Sequence, residues 1–442
     1  MIKVCKFGGS SVAGAEQFAK IKKIVESDKS RKFVIVSAVG KANKDDHKIT
    51  DLLYVLYSHV KYGVDYNSIL DIVEKKYNSI KEELNLNIDL KSEFDSIRAN
   101  LTKHVDIDYV VSRGEYLCAK LMACYLNGIF VDAKDVIYFG YDNKFYFDRI
   151  EKALEKYEGS DKVIVIPGFY GTLPNGKIRC MSRGGSDITG AVIANVVNAS
   201  VYENFTDVSG IMVADPRIVD NPVSVKRITY AELREMSYMG ASVLHDEAIF
   251  PVKAKNIPLN ILNTNDPSHP GTMIMQSCDD YDEKEKPLVI SGITGKKGFS
   301  SIFVAKSHIA SEVGVLKQAL EVISKYNLSV ESVATGIDSF SIVVKTEEVE
   351  RDLYELMNKL QTSLDTDNIN IENEMAMVAI VGRKLKNYKG FSGKLFSTLG
   401  KNDINIKLIS QTSDEISIIL GIDEKDFEKT INVIYKEFIK WK

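Results

Sequence analysis

The start of the chain reads as a strand, a glycine turn, a helix and a second strand. Residues 2–7 are rich in apolar side chains, Gly8-Gly9 interrupts them, and apolar residues then recur at helical spacing from Phe18 to Val25. Residues 33–39 read Phe-Val-Ile-Val-Ser-Ala-Val, a continuous apolar run that fits a strand buried on both faces. Such a strand-helix-strand unit predicts an α/β fold with a parallel sheet.

A chain of 442 residues exceeds what one hydrophobic core usually supports, so two or three domains are expected. Between about residues 52 and 106 the sequence is charged and mostly helical in pattern, without a chemical motif. Strand-like runs return at 163–166 and 201–205, so we interpret residues 52–106 as a helical excursion from the sheet. Its expected apolar stripe is Ile69, Ile72, Val73, Tyr77 and Ile80.

The last third of the chain contains an internal repeat. Residues 314–344 match residues 390–420 without gaps, an offset of 390 − 314 = 76 residues. Each copy reads as a helix followed by two short strands, which fits two side-by-side modules of the split βαββαβ pattern. The charged segment 279–287 is the best linker candidate. The predicted boundaries are 1–285, 288–370 and 371–442.

Composition excludes several classes of partner. Lys and Arg number 57 against 61 Asp and Glu, a formal charge of −4, so no basic surface for nucleic acid or membrane is expected. No run of 18 apolar residues and no secretion signal are found. The five cysteines lack C-x-x-C spacing, which favours reduced thiols. We expect a cytoplasmic protein whose partners are small molecules and copies of itself.

The first candidate site is Lys6-Phe7-Gly8-Gly9, where the first strand gives way to a helix. Consecutive glycines let the backbone approach a phosphate, a helix N-terminus supplies N–H donors, and Lys6 adds a mobile charge. The spacing matches neither the dinucleotide-binding nor the P-loop pattern. The alternative is a plain strand-to-helix turn with an incidental lysine.

The second candidate site is Ser182-Arg183-Gly184-Gly185-Ser186-Asp187, before an apolar run. Arg183 can hold a carboxylate through two hydrogen bonds, the glycines can present N–H groups to phosphoryl oxygens, and Asp187 can organise a lysine or a metal. The alternative is a helix cap in which Ser186 or Asp187 is the capping residue.

Three further features carry chemistry of lower specificity. The segment Thr206-Asp207 ends a predicted strand and precedes the turn Asp215-Pro216-Arg217, which together could bind a nucleotide, although Asp-Pro turns are more often structural. Glu115 is expected in the first turn of a helix, where it either accepts a substrate ammonium or only favours the helix dipole. His245 reads as a hydrogen-bonded structural histidine.

Taken in this order, the motifs together with Gly240-Ala241-Ser242-Val243-Leu244-His245 resemble the aspartokinase branch of the amino-acid kinase family, and the repeated tail resembles tandem ACT domains. The resemblance covers nearly the whole chain. It implies a three-layer αβα kinase domain with a mainly parallel sheet, followed by two ferredoxin-like βαββαβ ACT domains. The implied activity is ATP-dependent phosphorylation of the side-chain carboxylate of L-aspartate, the first step towards lysine, threonine and methionine.

The resemblance also implies site residues, carried over position by position. Lys6 and Asp187 would be catalytic. The implied nucleotide contacts are Lys6, Phe7, Gly8, Gly9, Thr206, Asp207, Met212, Val213, Ala214, Asp215, Pro216 and Arg217. The implied aspartate contacts are Ser37, Thr50, Glu115, Phe169, Arg183 and Ser186. Mg²⁺ would be held mainly through the nucleotide phosphates, so no set of protein metal ligands is expected.

The tail implies feedback inhibition by an amino acid bound between a helix N-terminus and a neighbouring strand. The candidate effector contacts are Ser311, Glu312, Val313, Gly314, Val315, Leu316, Ser329, Val330 and Glu331. Glu331 can pair with a cationic side chain, which favours lysine over threonine as the inhibitor. A homodimer or a dimer of dimers through the ACT domains is expected, and a fused homoserine dehydrogenase is not, because the repeat runs to the end of the sequence.

The sequence departs from the family pattern at several positions. The family usually has lysine where this chain has Ser242, and whether Lys253 or Lys255 replaces that cation stays open. Two rival interpretations remain: another kinase of the same superfamily, and a non-catalytic amino-acid sensor derived from one. The pairing of Glu115 with Arg183 and the repeated tail argue against another kinase, whereas Ser242 is the only feature that favours the sensor.

Overall fold

The computed structural model of the chain describes residues 1–182, 184–241, 244, 248–282, 288–411 and 416–439. It divides into two compact units. The first unit comprises residues 1–211, 224–230 and 242–280, and the second comprises 212–223, 231–241 and 281–442. The second unit therefore includes two segments from before the predicted boundary at 285. No helix among the described residues has the length and apolar character needed to span a membrane.

Strands and helices are numbered in chain order. The strands up to residue 282 are β1 Lys3–Phe7, β2 Arg31–Val36, β3 Ile129–Phe130, β4 Ile164–Pro167, β5 Tyr170–Thr172, β6 Ile178–Cys180, β7 Val201–Thr206, β8 Ile211–Met212, β9 Ser224–Val225, β10 Arg227–Thr229, β11 Leu259–Asn263 and β12 Thr272–Met275. The helices over the same range are α1 Ala15–Glu26, α2 Ile49–Tyr62, α3 Asn67–Glu83, α4 Leu90–Asn100, α5 Ile107–Tyr125, α6 Phe147–Glu158, α7 Gly185–Val196, α8 Tyr230–Tyr238, α9 Ile249–Ala254 and α10 Asp279–Asp282.

Over the described residues of the first unit, eight strands form one sheet in the order β10-β12-β11-β7-β1-β2-β4-β3. Neighbouring strands are parallel except β11 and β12, which are antiparallel. The predicted strand-helix-strand start is confirmed as β1, α1 and β2, with β1 paired to both β2 and β7. Phe7 pairs with Val36 on one side and Phe205 on the other, so β1, β2 and β7 end at one edge. We call this edge, where β1, β2, β4 and β7 end, the carboxyl edge.

The central strands are buried on both faces, which explains their continuous apolar runs. On one face Phe7 stacks on Phe205 with ring centroids 4.7 Å apart, and this face packs in a core that includes α1 and α5. The other face carries Lys6 and its neighbours and lies under α7, where Gly190 approaches Tyr202 so closely that a Cβ would lie 2.5 Å from the tyrosine oxygen. Glycine at this position therefore lets α7 lie close to β7.

The helical excursion is confirmed as α2, α3 and α4, but its apolar stripe differs from the prediction. In α3 the buried residues are Leu70, Val73, Tyr77 and Ile80. Ile72 is 47% exposed, so its inclusion in the stripe was wrong. Leu70 takes that place because its spacing of three from Val73 keeps it on the buried face.

A buried ion pair links two central strands of the first unit's sheet. Arg31 at the start of β2 donates to Glu203 in β7 through Nε at 2.6 Å and Nη2 at 3.1 Å. Both side chains are largely buried, with exposures of 14% and 5%. The Glu203 carboxylate also accepts from the Cys5 thiol at 3.2 Å, and burial raises the pKa of that thiol well above its usual value.

Replacing Arg31 by methionine is expected to lower the free energy of unfolding by about 3 kcal/mol. The substitution removes both guanidinium hydrogen bonds and leaves the buried Glu203 carboxylate with Lys3, at 3.5 Å, as its remaining cation. Urea unfolding of the variant measures this loss. The double variant Arg31→Met with Glu203→Met is the control, and it should regain most of the stability because no unpaired charge remains. Equal losses in the single and double variants would show that packing, not charge, sets the effect.

The second unit contains a six-stranded antiparallel sheet over its described residues, in the order β14-β15-β13-β16-β18-β17. Its strands are β13 Gly292–Ala305, β14 Val330–Thr335, β15 Ser339–Lys345, β16 Asn368–Val381, β17 Ile406–Gln411 and β18 Ser417–Asp423. Its helices are α11 Val315–Lys325, α12 Thr346–Val349, α13 Leu353–Leu364, α14 Phe391–Lys401 and α15 Phe427–Phe438.

The repeat appears in the second unit as two matching helix-strand-strand copies. Helices α11 and α14 each follow a glycine with positive φ, 94° at Gly314 and 82° at Gly390. Strands β14 and β17 begin at equivalent positions, 76 residues apart. The long strands β13 and β16 pair antiparallel and join the copies in one sheet. The predicted class, a mainly parallel α/β sheet followed by α/β modules of ACT type, is confirmed.

Candidate active site

The turns that follow four strands of the first unit come together at the carboxyl edge. The backbone N–H of Gly8 donates to Phe205 O at 3.2 Å, and the N–H of Ser37 donates to Phe7 O at 3.1 Å. The N–H of Gly168 donates to Val36 O at 2.9 Å. These bonds extend the sheet ladder by one residue beyond each strand, and Thr206 ends β7 at the same edge. Predicted phosphate-side and aspartate-side residues therefore share one edge of the sheet.

The glycine turn after β1 is held by a second loop. Gly40 donates its N–H to Gly9 O at 3.0 Å, and a Cβ on Gly40 would lie 2.4 Å from that oxygen. Only glycine therefore permits this approach. Lys76 of α3 orders the same loop by donating to Gly40 O at 2.8 Å and Asp46 Oδ2 at 2.7 Å. The helical excursion thus supports the loop that packs on the predicted phosphate turn.

Lys6 and Asp187, which the sequence places 181 residues apart, form a direct ion pair. The distance from Lys6 Nζ to Asp187 Oδ1 is 2.5 Å, and the side chains are 9% and 16% exposed. Helix α7 begins at Gly185 after Gly184, which takes the cap position with φ 78° and no side-chain cap bond. The alternative in which Ser186 or Asp187 caps the helix is therefore wrong, and the Asp187 carboxylate is directed at Lys6.

Glu115 lies in the middle of α5, not in the first turn as predicted, because α5 begins eight residues earlier at Ile107. The side chain is buried, and Glu115 Oε2 has no hydrogen-bond partner among the described residues. Desolvation raises the pKa of Glu115 to about 8, and the backbone N–H of Ala38 partly offsets this rise. Ala38 follows Ser37 beyond β2, so the carboxyl group lies at the carboxyl edge. A buried carboxylate with an open acceptor suits a substrate ammonium.

Phe169 and Ser186 lie at the meeting of β4 and α7. Phe169 has φ 77°, an uncommon conformation for a residue with a side chain. It is fixed by its N–H donating to Thr189 Oγ1 at 3.0 Å and by its carbonyl accepting from Met181 N at 2.7 Å. Ser186 is buried, and a Cβ on Gly168 would lie 2.6 Å from its Cβ. Strain of this kind concentrates at functional sites.

The other predicted contacts are placed as follows. Ser37 and Thr50 are half-buried, Ser37 directly after β2 and Thr50 in the first turn of α2. Thr206 is half-buried at the end of β7, and its hydroxyl donates to the exposed Asp207 at 3.1 Å. Arg183, Ser242 and His245 lie outside the described residues.

The segment Met212–Arg217 belongs to the second unit. Within it Asp215 accepts from the Arg217 backbone N–H at 2.8 Å and from its guanidinium at 2.6 Å. This pairing lowers the pKa of Asp215. Val213 bonds to β13, since its carbonyl accepts from Ile293 N at 2.6 Å. The turn is thus a compact, internally paired element.

Lys255 is not free to replace the cation that the family usually has at position 242. Its ammonium donates to Asn195 O and to Asn198 Oδ1, both at 2.8 Å, at the C-terminal end of α7. A cation at a helix C-terminus stabilises that helix. Lys255 therefore supports α7 from the end opposite to Asp187.

The predicted effector residues lie in two places in the first copy. Ser311–Leu316 lie before and at the start of α11, and Ser329–Glu331 lie after that helix, where β14 begins. Gly314 precedes the helix, Val313 is 98% exposed, and Glu312 pairs with Lys306 at 3.1 Å. Glu331 accepts from the Tyr238 hydroxyl at 2.7 Å, a contact within the second unit. At the start of α14 in the second copy a cavity of about 190 Å³ is lined by residues 385, 386 and 388–393 together with Gln411 and Ile418.

Asn204 was not singled out by the sequence analysis. Its Nδ2 donates to Asp187 Oδ1 at 2.8 Å. The signal that could have identified it is an amide within a strand whose neighbouring positions are buried, since a buried amide needs a polar partner.

Comparison with known proteins shows which family the chain belongs to. Residues 1–263 match the amino acid kinase family, and residues 378–438 match an ACT domain. Aspartokinase 3 of Bacillus subtilis is 33% identical over 99% of this chain and 98% of its own length. The crystal structure of aspartate kinase from Clostridium acetobutylicum is 43% identical, covers 99% of this chain and 100% of that chain, and has a TM-score of 0.92. Aspartokinase III of E. coli in complex with aspartate and ADP shares the fold, with a TM-score of 0.75 and 23% identity over 99% of each chain.

Proposed function

The chain belongs to the aspartokinases of the amino acid kinase family, enzymes that phosphorylate aspartate, and we propose that its carboxyl edge is where ATP and L-aspartate meet. The product is 4-phospho-L-aspartate. The observation that carries this assignment is the meeting of the Lys6–Asp187 pair and the open Glu115 carboxylate at one edge of one sheet. The Lys6 ammonium suits a phosphate, and the Glu115 carboxylate suits the ammonium of an amino acid.

Transfer of a phosphoryl group to a carboxylate needs little base catalysis, because the acceptor is already ionised at neutral pH. Positioning and charge neutralisation set the rate instead. The Lys6 ammonium neutralises charge on the transferring phosphoryl group, and Asp187 aims that ammonium. The backbone of Phe7, Gly8 and Gly9 accommodates the phosphates. A Cβ on Gly8 would lie 3.5 Å from Lys6 Nζ, so glycine at this position leaves the space beside the ammonium open for a phosphate oxygen.

Aspartate is held by both of its charged ends. Glu115 accepts the ammonium, and Arg183 binds the α-carboxylate, so that the side-chain carboxylate is aimed at phosphorus. Ser37, Thr50 and Ser186 supply hydroxyl groups, and the fixed backbone of Phe169 shapes the wall of this subsite. Support comes from the placement of Ser37, Glu115, Phe169 and Ser186 next to the ends of β2 and β4.

The remainder of the nucleotide binds Thr206 and Asp207 at the end of β7. The exposed oxygens of Thr206 and Asp207 at the end of β7 support a role with ribose or phosphate. In the second unit the Asp215–Arg217 pairing fixes the Met212–Arg217 turn without help from a ligand, and nucleotide binding by this turn stays a prediction.

Mg²⁺ is held mainly by the nucleotide phosphates in this proposal. Among the described residues no group of three or more His, Cys, Asp or Glu side chains could hold a metal ion by itself. The carboxylates of Asp187 and Asp207 at the carboxyl edge could each make a single contact, direct or through water, to an ion bound by the phosphates. When bound, the ion supplies charge neutralisation to the phosphoryl group.

Hydroxamate formation from aspartate, ATP and hydroxylamine tests the assignment. Hydroxylamine traps the acyl phosphate, so colour should depend on both ATP and aspartate. Another kinase of the superfamily would form a product only with a different acceptor. A non-catalytic sensor would bind aspartate or an effector without consuming ATP, and that result would overturn the proposal.

The ACT unit makes the enzyme subject to feedback by an end product of its own pathway, and we assign that role to lysine or threonine. The proposed effector residues are Ser311–Leu316, at the start of α11, where backbone N–H groups can receive a carboxylate, and Ser329–Glu331, at the start of β14. Glu331 supports lysine, because its carboxylate can accept an ammonium. The proposed assembly is a homodimer or dimer of dimers through the ACT domains, working in the cytoplasm.

Replacing Glu331 by glutamine is expected to weaken inhibition by lysine about 10-fold, because one charge-assisted hydrogen bond of roughly 1.5 kcal/mol is lost. The lysine concentration for half inhibition measures this change, with uninhibited kcat as the reference. Glu350→Gln, an exposed carboxylate near α12, is the control and should leave inhibition unchanged. Unchanged inhibition in Glu331→Gln would exclude this carboxylate from the effector site.

A further inference from the structure

The Asp187 carboxylate has two donors on one oxygen. Oδ1 lies 2.5 Å from Lys6 Nζ and 2.8 Å from Asn204 Nδ2. Asn204 is 3% exposed and Lys6 is 7% exposed, so both donors are inside the protein. A third contact reaches the same residue, because the Tyr202 hydroxyl donates to the Asp187 backbone carbonyl at 3.0 Å.

The sheet register explains why these groups converge. Lys6 of β1 pairs directly with Asn204 of β7, so their side chains stand side by side on the face covered by α7. Tyr202 is two residues before Asn204 and therefore projects from the same face. Asp187 lies in the first turn of α7, above both strands. β7 thus holds Asp187 by its side chain and by its backbone.

The second donor to Asp187 Oδ1, the Asn204 amide, matters when the nucleotide phosphate binds near Lys6. The Lys6 ammonium has three N–H donors, so it can bind a phosphoryl oxygen and Asp187 at the same time. Sharing its charge with the phosphate weakens its interaction with Asp187. A largely buried carboxylate that loses its only donor is costly, and this cost would oppose release of the lysine. The Asn204 amide is neutral and stays in place, so it keeps Oδ1 hydrogen-bonded while the ammonium is shared with the phosphate.

We propose that Asn204 is a positioning residue for phosphoryl transfer, which holds the Asp187 carboxylate so that the Lys6 ammonium can engage the nucleotide phosphate. The proposal rests on the role assigned to Lys6. Asn204 itself touches neither substrate. Its loss should therefore lower kcat and leave the binding of aspartate unchanged.

Asn204→Leu removes the donor at nearly the same size. We expect kcat to fall on the order of 10-fold, as for one hydrogen bond to a charged group, with the KM for aspartate changed less than 2-fold. Asn195→Leu is the matched control, because it removes a buried amide from the other end of α7, where Nδ2 donates to Pro251 O at 2.7 Å. It should lower the melting temperature but leave kcat unchanged.

Asn204→Asp separates positioning from packing. At low pH the introduced carboxyl is protonated and can donate to Asp187, whereas at high pH it is a second carboxylate that repels Asp187. The ratio of its kcat to the wild-type kcat, at saturating aspartate, should rise as the pH falls. The same ratio for Asn204→Leu should be independent of pH.

The outcomes are distinguishable. A wild-type kcat in folded Asn204→Leu, a pH-independent ratio in Asn204→Asp, or a rise in the KM for aspartate without a fall in kcat would each overturn the proposal for Asn204. If Asn204→Leu does not fold, the pH dependence of Asn204→Asp decides alone. If Lys6→Ala also keeps its turnover, the failure lies in the role assigned to Lys6.

Discussion

Replacing Lys6 by alanine lowers kcat by about 10²–10³-fold, and the KM for aspartate stays within a few-fold of its wild-type value. The reason is that the ammonium acts on charge that develops during transfer, as a single oxyanion-hole donor does, which corresponds to about 2.7–4 kcal/mol. Its contact with Asp187 at 2.5 Å fixes where that charge lies. Steady-state kinetics at saturating ATP measure the effect.

The control for this variant is Lys3→Ala on the same strand. Lys3 donates to Asp28 at 2.9 Å near the start of β1, away from the carboxyl edge, so its loss should leave kcat unchanged. Near wild-type turnover in Lys6→Ala would remove Lys6 from the catalytic role. A rise in the KM for ATP without a fall in kcat would limit Lys6 to binding the nucleotide.

Replacing Glu115 by glutamine raises the KM for aspartate about 100-fold and leaves the KM for ATP unchanged. The substitution keeps the shape of the side chain but removes the negative charge, and a hydrogen bond to a charged group contributes roughly 1.5–3 kcal/mol. The open oxygen of Glu115 among the described residues is the observation behind this expectation. A KM for aspartate close to the wild-type value would mean that the ammonium binds elsewhere.

Glu115 also gives aspartate binding a pH dependence. Burial raises its pKa from 4.5 to about 8 in the protein without substrate, so the group is mostly protonated at pH 7. The ammonium requires the ionised form, and the apparent affinity for aspartate should therefore rise with pH and level off above about pH 8. In Glu115→Gln the weakened affinity should lack this pH dependence.

The same shift makes a prediction about stability with the opposite sign. Because the folded protein holds the Glu115 proton more tightly than the unfolded chain, the stability contributed by this group falls as pH rises between about 4.5 and 8. Glutamine does not ionise, so the variant avoids the stability that wild type loses when Glu115 is deprotonated. Glu115→Gln should therefore raise the melting temperature at pH 8.5 by about 2–4 °C relative to wild type, and by less at pH 5. Function and stability therefore oppose each other at this position.

Much of the fold was predictable because its signals are local. The apolar run before Gly8-Gly9 and the helical spacing after it define β1 and α1, and the repeat defines where α11 and α14 begin. The error at Ile72 arose because an apolar residue at the edge of a helix face can satisfy a periodic pattern and still face solvent. Whether such a residue is buried depends on the neighbouring elements that pack against the helix, and the local sequence pattern does not show those neighbours.

The sequence could name candidate site residues but not all of the contacts between them. The motif allowed Asp187 to organise a lysine or a metal, the family resemblance implied that Lys6 and Asp187 are catalytic, and the structure brings the two side chains into contact. Glu115 was placed in a first turn because the polar residues before it masked the true start of α5 at Ile107. The role of Lys255 at the end of α7 and that of Asn204 beside Lys6 depend on strand register and helix placement, which join residues far apart in sequence.

The central claim is that one edge of the sheet holds an amino acid by Glu115 and a polyphosphate by Lys6. A crystal structure with aspartate and a non-hydrolysable ATP analogue tests it most directly. The predicted result is the aspartate nitrogen within hydrogen-bonding distance of Glu115 Oε2 and a terminal phosphate oxygen within reach of Lys6 Nζ. Density for either ligand away from the carboxyl edge, or a Glu115 carboxylate still without a partner, would contradict it.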